Sequence, residues 1–146
     1  MQKQTRGGFA ISQIKQRMDR IFERLLREND IADFNGPQGR ILYVLWQEDH
    51  LPIHALSRRT SLAKTSLTSM LDRMEKKGYL RRALDPNDRR QIRIVLTDKA
   101  RALNERYQSV SNQMNAIFYK EFTEEEITRL DDALEKALQN LIEYEE

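Results

Sequence analysis

The sequence predicts a mainly α-helical fold that contains one β-hairpin, and three observations lead to this expectation. Apolar residues recur three and four positions apart near both ends of the 146-residue chain, which is the spacing of one helix face. Between these stretches, Gln91-Ile92-Arg93-Ile94-Val95-Leu96 largely alternates polar and apolar residues. The preceding Asp85-Pro86-Asn87-Asp88-Arg89-Arg90 is rich in turn formers, so residues 79–84 and 91–96 are expected to pair as strands with a charged tip.

The first two helices are expected over residues 9–28 and from Pro37 to just before Asp49. Asn35-Gly36-Pro37 marks the start of the second helix, because proline suits the first helical position. The buried side of the second helix is formed by Ile41, Leu42 and Leu45. The apolar stripe of the first helix is Ile11, Ile14, Met18, Ile21 and Leu25.

Two short helices are expected next, over residues 54–60 and 64–77, after a possible extra strand at residues 51–53. Ser61-Leu62-Ala63 connects them tightly. Gly78 is the expected C-cap of the second. Its apolar face consists of Leu67, Met70, Leu71 and Met74.

Two long helices complete the chain. Thr97 can cap a helix from Asp98 to about Lys120. The pattern Thr123-Glu124-Glu125-Glu126 is typical of a capping box, which starts a last helix that reaches about Tyr144.

Charge is strongly segregated along the chain, although its net value is only +2. Residues 54–101 carry 13 Lys and Arg against 5 Asp and Glu, whereas residues 121–146 carry 2 against 10. A single charge block is more commonly a solvated face. A basic middle segment together with an acidic last segment instead indicates a polyanion-binding head and an arm that avoids the polyanion. The sequence has no cysteine, which excludes a thiol switch. It shows no signal peptide or membrane span, so a cytoplasmic protein is expected.

Two short helices followed by a charged hairpin form a winged helix-turn-helix pattern. Small hydroxyl side chains at the start of the second helix can approach base edges, and nearby cations can hold phosphates. Each feature alone has a bland alternative, namely helix capping or a solvated surface. Together, in this order and within a basic segment, they predict double-stranded DNA as the partner. The predicted DNA-binding residues are Arg58, Arg59, Lys64, Thr65, Ser66, Thr68, Ser69, Arg73, Asn87, Asp88, Arg89 and Arg90.

With these residues in place, the chain resembles the MarR family of bacterial transcriptional regulators over nearly its whole length. The most specific strings are Lys64-Thr65-Ser66-Leu67-Thr68, then Leu71-Asp72-Arg73-Met74-Glu75-Lys76-Lys77-Gly78-Tyr79-Leu80, Arg82, and Asp85-Pro86-Asn87-Asp88-Arg89-Arg90 through Val95-Leu96-Thr97. One departure is Ala100, where the family often has glycine. The resemblance implies that the helix over residues 64–77 enters the major groove and the wing reaches the minor groove.

Asp88 is expected to orient an arginine rather than to contact DNA, because DNA repels a carboxylate. It would pair with one wing arginine and leave the other for the groove. We favour Arg89 as the groove contact.

Residues 1–36 are interpreted as an N-terminal dimerisation helix with its connection, 37–97 as the winged helix-turn-helix, and 98–146 as C-terminal dimerisation helices of one intertwined domain. Helices of about 20 residues are about 30 Å long, and their stripes exceed what the small head can cover. They could pack within one chain, but we expect a homodimer, as in MarR-like proteins, whose two heads lie about 34 Å apart along DNA. The expected interface residues are Ile11, Ile14, Met18, Ile21, Val110, Met114, Ile117, Leu130, Leu134 and Leu141.

The leading interpretation is a homodimeric, sequence-specific transcriptional regulator, of repressor type, on a pseudo-palindromic operator. Activation needs the same surface and stays open. The alternative is a non-specific nucleic-acid-binding architectural or protein-interaction module. No catalytic constellation, phosphate-binding glycine loop or metal cluster is present in the sequence, so we expect neither an enzyme nor a cofactor.

The family resemblance also implies release from DNA by a small, frequently phenolic or anionic effector that binds between the arms and the head. The sequence does not identify the effector. Candidate residues near that junction are Arg17, Tyr43, Trp46 and His54, although such residues are more commonly part of the packing.

Overall fold

The computed structural model describes residues 4–31 and 36–146, and its elements follow the predicted order. The helices of this part are α1 (Gly7–Glu28), α2 (Gly36–Gln47), α3 (Ile53–Thr60), α4 (Lys64–Lys76), α5 (Asp98–Phe118) and α6 (Glu124–Glu145). The strands are β1 (Leu51–Pro52), β2 (Leu80–Leu84) and β3 (Ile92–Leu96). Asn35, from the turn predicted before α2, lies outside the described residues. The predicted mainly helical winged helix-turn-helix fold is confirmed.

The hairpin of β2 and β3 forms as predicted, with Leu80 opposite Leu96 and Leu84 opposite Ile92. Leu51 pairs with Ile94, so the short segment before α3 is an additional strand. The strand order is β1-β3-β2. β2 is therefore an edge strand of a small antiparallel sheet.

The described residues up to Ser111 form one compact unit around a hydrophobic core. The apolar face of α4 is buried as predicted, because Leu67, Leu71 and Met74 have no exposed surface. α5 joins this core through Tyr107, whose ring lies 5.0 Å from that of Trp46 and 5.5 Å from that of Phe22. The indole N–H of Trp46 also donates to the carbonyl of Ala100 at 3.0 Å.

Gly39 allows α2 to approach Tyr107 closely. A Cβ atom at position 39 would overlap the Tyr107 hydroxyl and come within 3.1 Å of its ring carbons. Burial raises the pKa of Tyr107, which keeps this phenol neutral. The glycine at this helical position is thus required by packing.

The turns around α4 have identifiable causes. Ser61 adopts a left-handed conformation with φ of 60° between α3 and α4. Gly78 has φ of +83° after α4, as expected of a C-cap glycine. Thr97 accepts the backbone N–H of Ala100 at 3.3 Å, which confirms its capping role, and donates to the carbonyl of Gly78 at 2.6 Å. The start of α5 is thereby tied to the end of α4.

Residues 112–146 form a second compact unit. The predicted capping box is confirmed, because the Thr123 side chain accepts the Glu126 N–H while the Glu126 carboxylate accepts the Thr123 N–H. Tyr119 donates a hydrogen bond to Asp131 of α6. No residue of α6 is buried in the chain by itself. None of the helices in the described ranges is long and apolar enough to cross a membrane.

Two of the predicted dimerisation residues are buried in the single chain. Val110 has no exposed surface and belongs to the hydrophobic core, and Met114 is only 5% exposed in the single chain. Their side chains are therefore occupied by packing within the chain. Ile117, in contrast, is 49% exposed on the same stripe.

Candidate nucleic-acid interface

α4 presents a polar surface that begins at its N-terminus. Thr65, Ser66, Thr68 and Ser69 are all exposed, while the opposite face is buried in the core. The Thr68 hydroxyl donates to the carbonyl of Lys64 at 2.9 Å, and its oxygen can still accept a further hydrogen bond. A helix N-terminus with small hydroxyl side chains offers hydrogen-bonding groups to phosphates and base edges at short range.

Carboxylate interactions hold the shape of the wing, the β2–β3 hairpin with its tip at residues 85–91. The buried Asp85 accepts the backbone N–H of Asn87 at 2.8 Å and the Nε–H of Arg93 at 2.9 Å. The amide of Asn87, and then the guanidinium of Arg93, lower the pKa of Asp85. The tip is thus fixed by a charged residue that is not itself available to DNA.

Asp88 pairs with Arg90 rather than with Arg89. Its Oδ1 accepts the backbone N–H of Arg90 at 3.0 Å and the Nε–H of the same residue at 3.3 Å. Arg89 is exposed and forms no hydrogen bond or ion pair with any other described residue. This geometry leaves Arg89 as the wing arginine without a partner in the described part of the chain.

Asp49 connects the wing to the rest of the head. Its Oδ1 accepts the backbone N–H of Leu96 at 3.0 Å, and its Oδ2 accepts from Arg101 at 3.1 Å. The hydrogen bond that Arg101 donates to Asp49 raises the pKa of Arg101. Arg93 also donates to the carbonyl of His50 at 2.6 Å. Both ends of β3 are therefore anchored next to β1.

The remaining predicted cations, Arg58, Arg59, Lys64 and Arg73, are all exposed. Arg59 lies 2.6 Å from a Glu48 carboxylate oxygen, so a phosphate contact by Arg59 would compete with this ion pair. Arg73 lies 3.4 Å from the Ser69 hydroxyl, and Arg58 and Lys64 are exposed. Of the twelve predicted DNA-binding residues, Asp88 alone is partly buried and the other eleven are exposed.

Sequence reasoning did not assign roles to Asp49, Arg82 and Arg93. Arg82 of β2 binds both acidic residues of α4, Asp72 and Glu75. These pairs join residues 7 to 52 positions apart, so no local periodicity reveals them. Only a weak signal in the sequence pointed to such roles: Arg82 and Arg93 are charged residues within strands that otherwise pack on a core.

A pocket of about 310 Å³ lies beside Trp46, between α2, β3 and α5. Trp46 is the only predicted effector residue that lines it; Arg17, Tyr43 and His54 do not. These three residues are exposed at other positions. The lining is Leu45, Trp46, Asp49, Leu96, Arg101 and Asn104.

The terminal helices carry apolar side chains that are exposed in the single chain. On α1, Ile11 is 49% and Ile14 40% exposed, and Met18 and Ile21 are partly buried. On α6, Leu134 is 38% and Leu141 64% exposed, and Leu130 is partly buried. Each helix thus presents an apolar stripe that the single chain does not cover.

The comparisons with known proteins agree with this geometry. The sequence model of the MarR family matches residues 34–92. The regulator TtmR of Methylorubrum extorquens (strain PA1) is 37% identical over 95 residues, which are 65% of this chain and 47% of TtmR, so the chain spans about half the length of that relative. The homoprotocatechuate degradative operon repressor of Escherichia coli is 28% identical over 127 residues, 87% of this chain and 84% of the repressor.

A solved structure of an Escherichia coli MarR mutant complexed with operator DNA matches with a TM-score of 0.79 and 27% identity, over 90% of this chain and 92% of that one. The fold and the exposed polar helix define a winged helix-turn-helix DNA-binding protein. The chain is similar in sequence and in fold to transcriptional regulators of the MarR family.

Proposed function

We propose that the protein is a homodimeric repressor that binds a pseudo-palindromic operator and leaves it when a small molecule binds. The observation that carries this proposal is the exposed polar N-terminus of α4 together with a wing whose Arg89 has no partner among the described residues. The operator-bound MarR structure and the repressor from Escherichia coli support the direction of regulation. A repressor of this kind acts in the cytoplasm, where the DNA is.

The uncovered stripes of α1 and α6 support the homodimer. Leu141 is 64% exposed and Ile11 49% exposed in the single chain. Burial of apolar area stabilises association by about 25 cal/mol per Å², and a two-fold dimer also doubles the number of base contacts. We propose that the interface contains the predicted set without Val110 and Met114.

Selection of bound fragments from the host genome tests the proposed function. The expected product is a set of fragments that share an inverted repeat, with half-sites one or more DNA turns apart. The double variant Arg89→Ala with Arg90→Ala serves as the control and is expected to enrich no motif. Fragments without a common motif would contradict operator recognition and favour the non-specific module.

The pocket beside Trp46 is the proposed effector site. It places an indole and two leucines beside the Arg101 guanidinium and the Asn104 amide, a combination that suits an aromatic ring with a polar substituent. Asp49 lines the same pocket and accepts the Leu96 N–H of the wing strand. An occupant that moves Asp49 would therefore alter the anchoring of β3.

Intrinsic fluorescence can test this site directly, because Trp46 is the only tryptophan of the chain. Homoprotocatechuate is a reasonable first probe, since the Escherichia coli relative is named for an operon that degrades it. We expect the probe to change Trp46 fluorescence and to lower operator affinity over the same concentration range. Asn104→Leu, which fills the pocket, should abolish both effects. Release of DNA without a change in fluorescence would place the effector elsewhere.

A further inference from the structure

Arg82 occupies a position between the two elements proposed to contact DNA. It lies in the middle of β2, the edge strand of the wing, and its side chain is 23% exposed. The guanidinium donates to Asp72 Oδ1 at 2.8 Å and to Glu75 Oε1 at 2.8 Å, and both acceptors lie on α4. A planar guanidinium suits such a double contact, because its donors point in fixed directions.

Glu75 strengthens the same connection through the backbone. Its second oxygen, Oε2, accepts the N–H of Arg82 at 3.0 Å. This N–H belongs to the edge strand, so the carboxylate also covers a backbone donor that would otherwise be open to other strands. α4 and β2 are thus joined by three hydrogen bonds that involve one arginine and two carboxylates.

The two carboxylates would oppose DNA binding if they were unpaired. Asp72 and Glu75 are the only acidic residues within Lys64–Lys76. Their side chains are 57% and 40% exposed, on the helix that carries the predicted base contacts. Each unpaired negative charge near phosphates would weaken association by electrostatic repulsion.

We propose that Arg82 is a positioning residue for DNA recognition, which fixes the wing to α4 and neutralises Asp72 and Glu75. The inference rests on the proposed function only in that α4 and the wing must contact DNA. In this arrangement Arg82 acts through its two partners and does not itself contact DNA. α4 and the wing then approach the DNA duplex as one rigid unit.

The test is a mutant cycle on operator affinity, measured by fluorescence anisotropy with the full-length protein. Arg82→Gln is expected to reduce operator affinity about tenfold, because the coupling energy between charged residues in contact is large enough to change an equilibrium constant by about this factor. Adding Asp72→Asn and Glu75→Gln should restore most of the loss, and these two changes should alter the affinity of the wild-type protein far less. The matched control is Arg81→Gln, which removes the neighbouring exposed arginine of β2 and should show no such rescue.

Arg82→Lys gives an independent measurement if the glutamine variant does not fold. A lysine ammonium can hold one carboxylate well but lacks the fork that binds two, so an intermediate affinity is expected. Wild-type affinity in either variant would overturn the proposal. A loss that neutralisation of Asp72 and Glu75 does not relieve would contradict the neutralising role, because it would show that their negative charges do not cause the loss. If the wild-type protein itself binds no operator, the proposed function fails instead.

Discussion

At the scale of single residues, the charged side chains of the wing have two different roles. Some bind one another and hold the shape of the wing, whereas one arginine is left for a partner outside the chain. Asp85 is bound by Arg93 and Asp88 by Arg90, whereas Arg89 has no partner among the described residues. An arginine without an internal ion pair can contact a phosphate or a groove without breaking an existing interaction. The two adjacent arginines are therefore expected to differ in effect, although their charges are equal.

Arg89→Ala should weaken operator binding more than Arg90→Ala. If Arg89 contacts DNA, its removal should cost about 1–3 kcal/mol, and a phosphate contact would also reduce the slope of log K against log salt by about 1. Arg24→Ala, which removes an exposed arginine of α1, is the control for net charge. Anisotropy titrations at several salt concentrations provide both quantities. Equal losses from the two wing variants would contradict this division of roles.

Gly39→Ala should destabilise the head, because the new methyl group would overlap the Tyr107 hydroxyl. Such overpacking in a core costs about 1–3 kcal/mol in the free energy of unfolding. Addition of Tyr107→Phe should recover part of the loss, since the ring carbons would still lie 3.1 Å from the new Cβ. Gly8→Ala is the matched control, because nothing lies within 4 Å of the added atom. Equal stability of the two alanine variants in denaturant titrations would refute the packing argument.

At the scale of elements, local patterns predicted the helices and the hairpin but not the contacts between them. Thr97, Thr123 and Gly78 act on backbone groups a few residues away, so their capping roles can be predicted from sequence. The burial of Val110 could not, because an apolar residue at helical spacing fits a core and a dimer interface equally well.

The same limit applied to the candidate site. The turn residues, the arginines and the hydroxyl-rich helix start are visible in the sequence, and Asp88 was expected to hold one arginine. Which arginine it holds depends on the geometry of the tip, where Asp88 Oδ1 meets Arg90 Nε. The anchoring of β3 by Asp49 depends on tertiary structure, since Asp49 and Leu96 are 47 positions apart.

The wing should lose stability in acid through Asp85. The amide of Asn87 and the guanidinium of Arg93 place the pKa of Asp85 below its ordinary value in the folded protein. The stabilisation is therefore complete above the unfolded-state pKa of about 3.9 and is lost as the pH falls through the lower folded value.

Asp85→Asn should accordingly lower the free energy of unfolding at neutral pH, and its difference from the wild-type protein should shrink below about pH 4. Thermal unfolding at a series of pH values measures this difference. Asp132→Asn, on the exposed surface of α6, is the control and should follow the wild-type protein throughout. A difference between Asp85→Asn and wild type that stays constant down to pH 3 would show that the charge of Asp85 is not the cause.

At the scale of the whole molecule, the account depends on association of two chains through their terminal helices. Leu130→Glu with Leu134→Glu should dissociate the dimer, because two charges would enter the apolar stripe of α6. Sedimentation velocity should then show a monomer. Lys136→Glu also places a glutamate on α6, but on the side opposite the apolar stripe, and should leave the dimer intact. A double-leucine variant that still sediments as a dimer would remove this stripe from the interface.

The central claim is that the protein recognises a particular DNA sequence through α4 and the wing. Its most direct test is the affinity for a selected operator fragment relative to unrelated DNA of equal length, at the same salt concentration. Specific recognition predicts a ratio of at least about 10³. A ratio near one would contradict the claim and would identify the protein as a non-specific DNA-binding module.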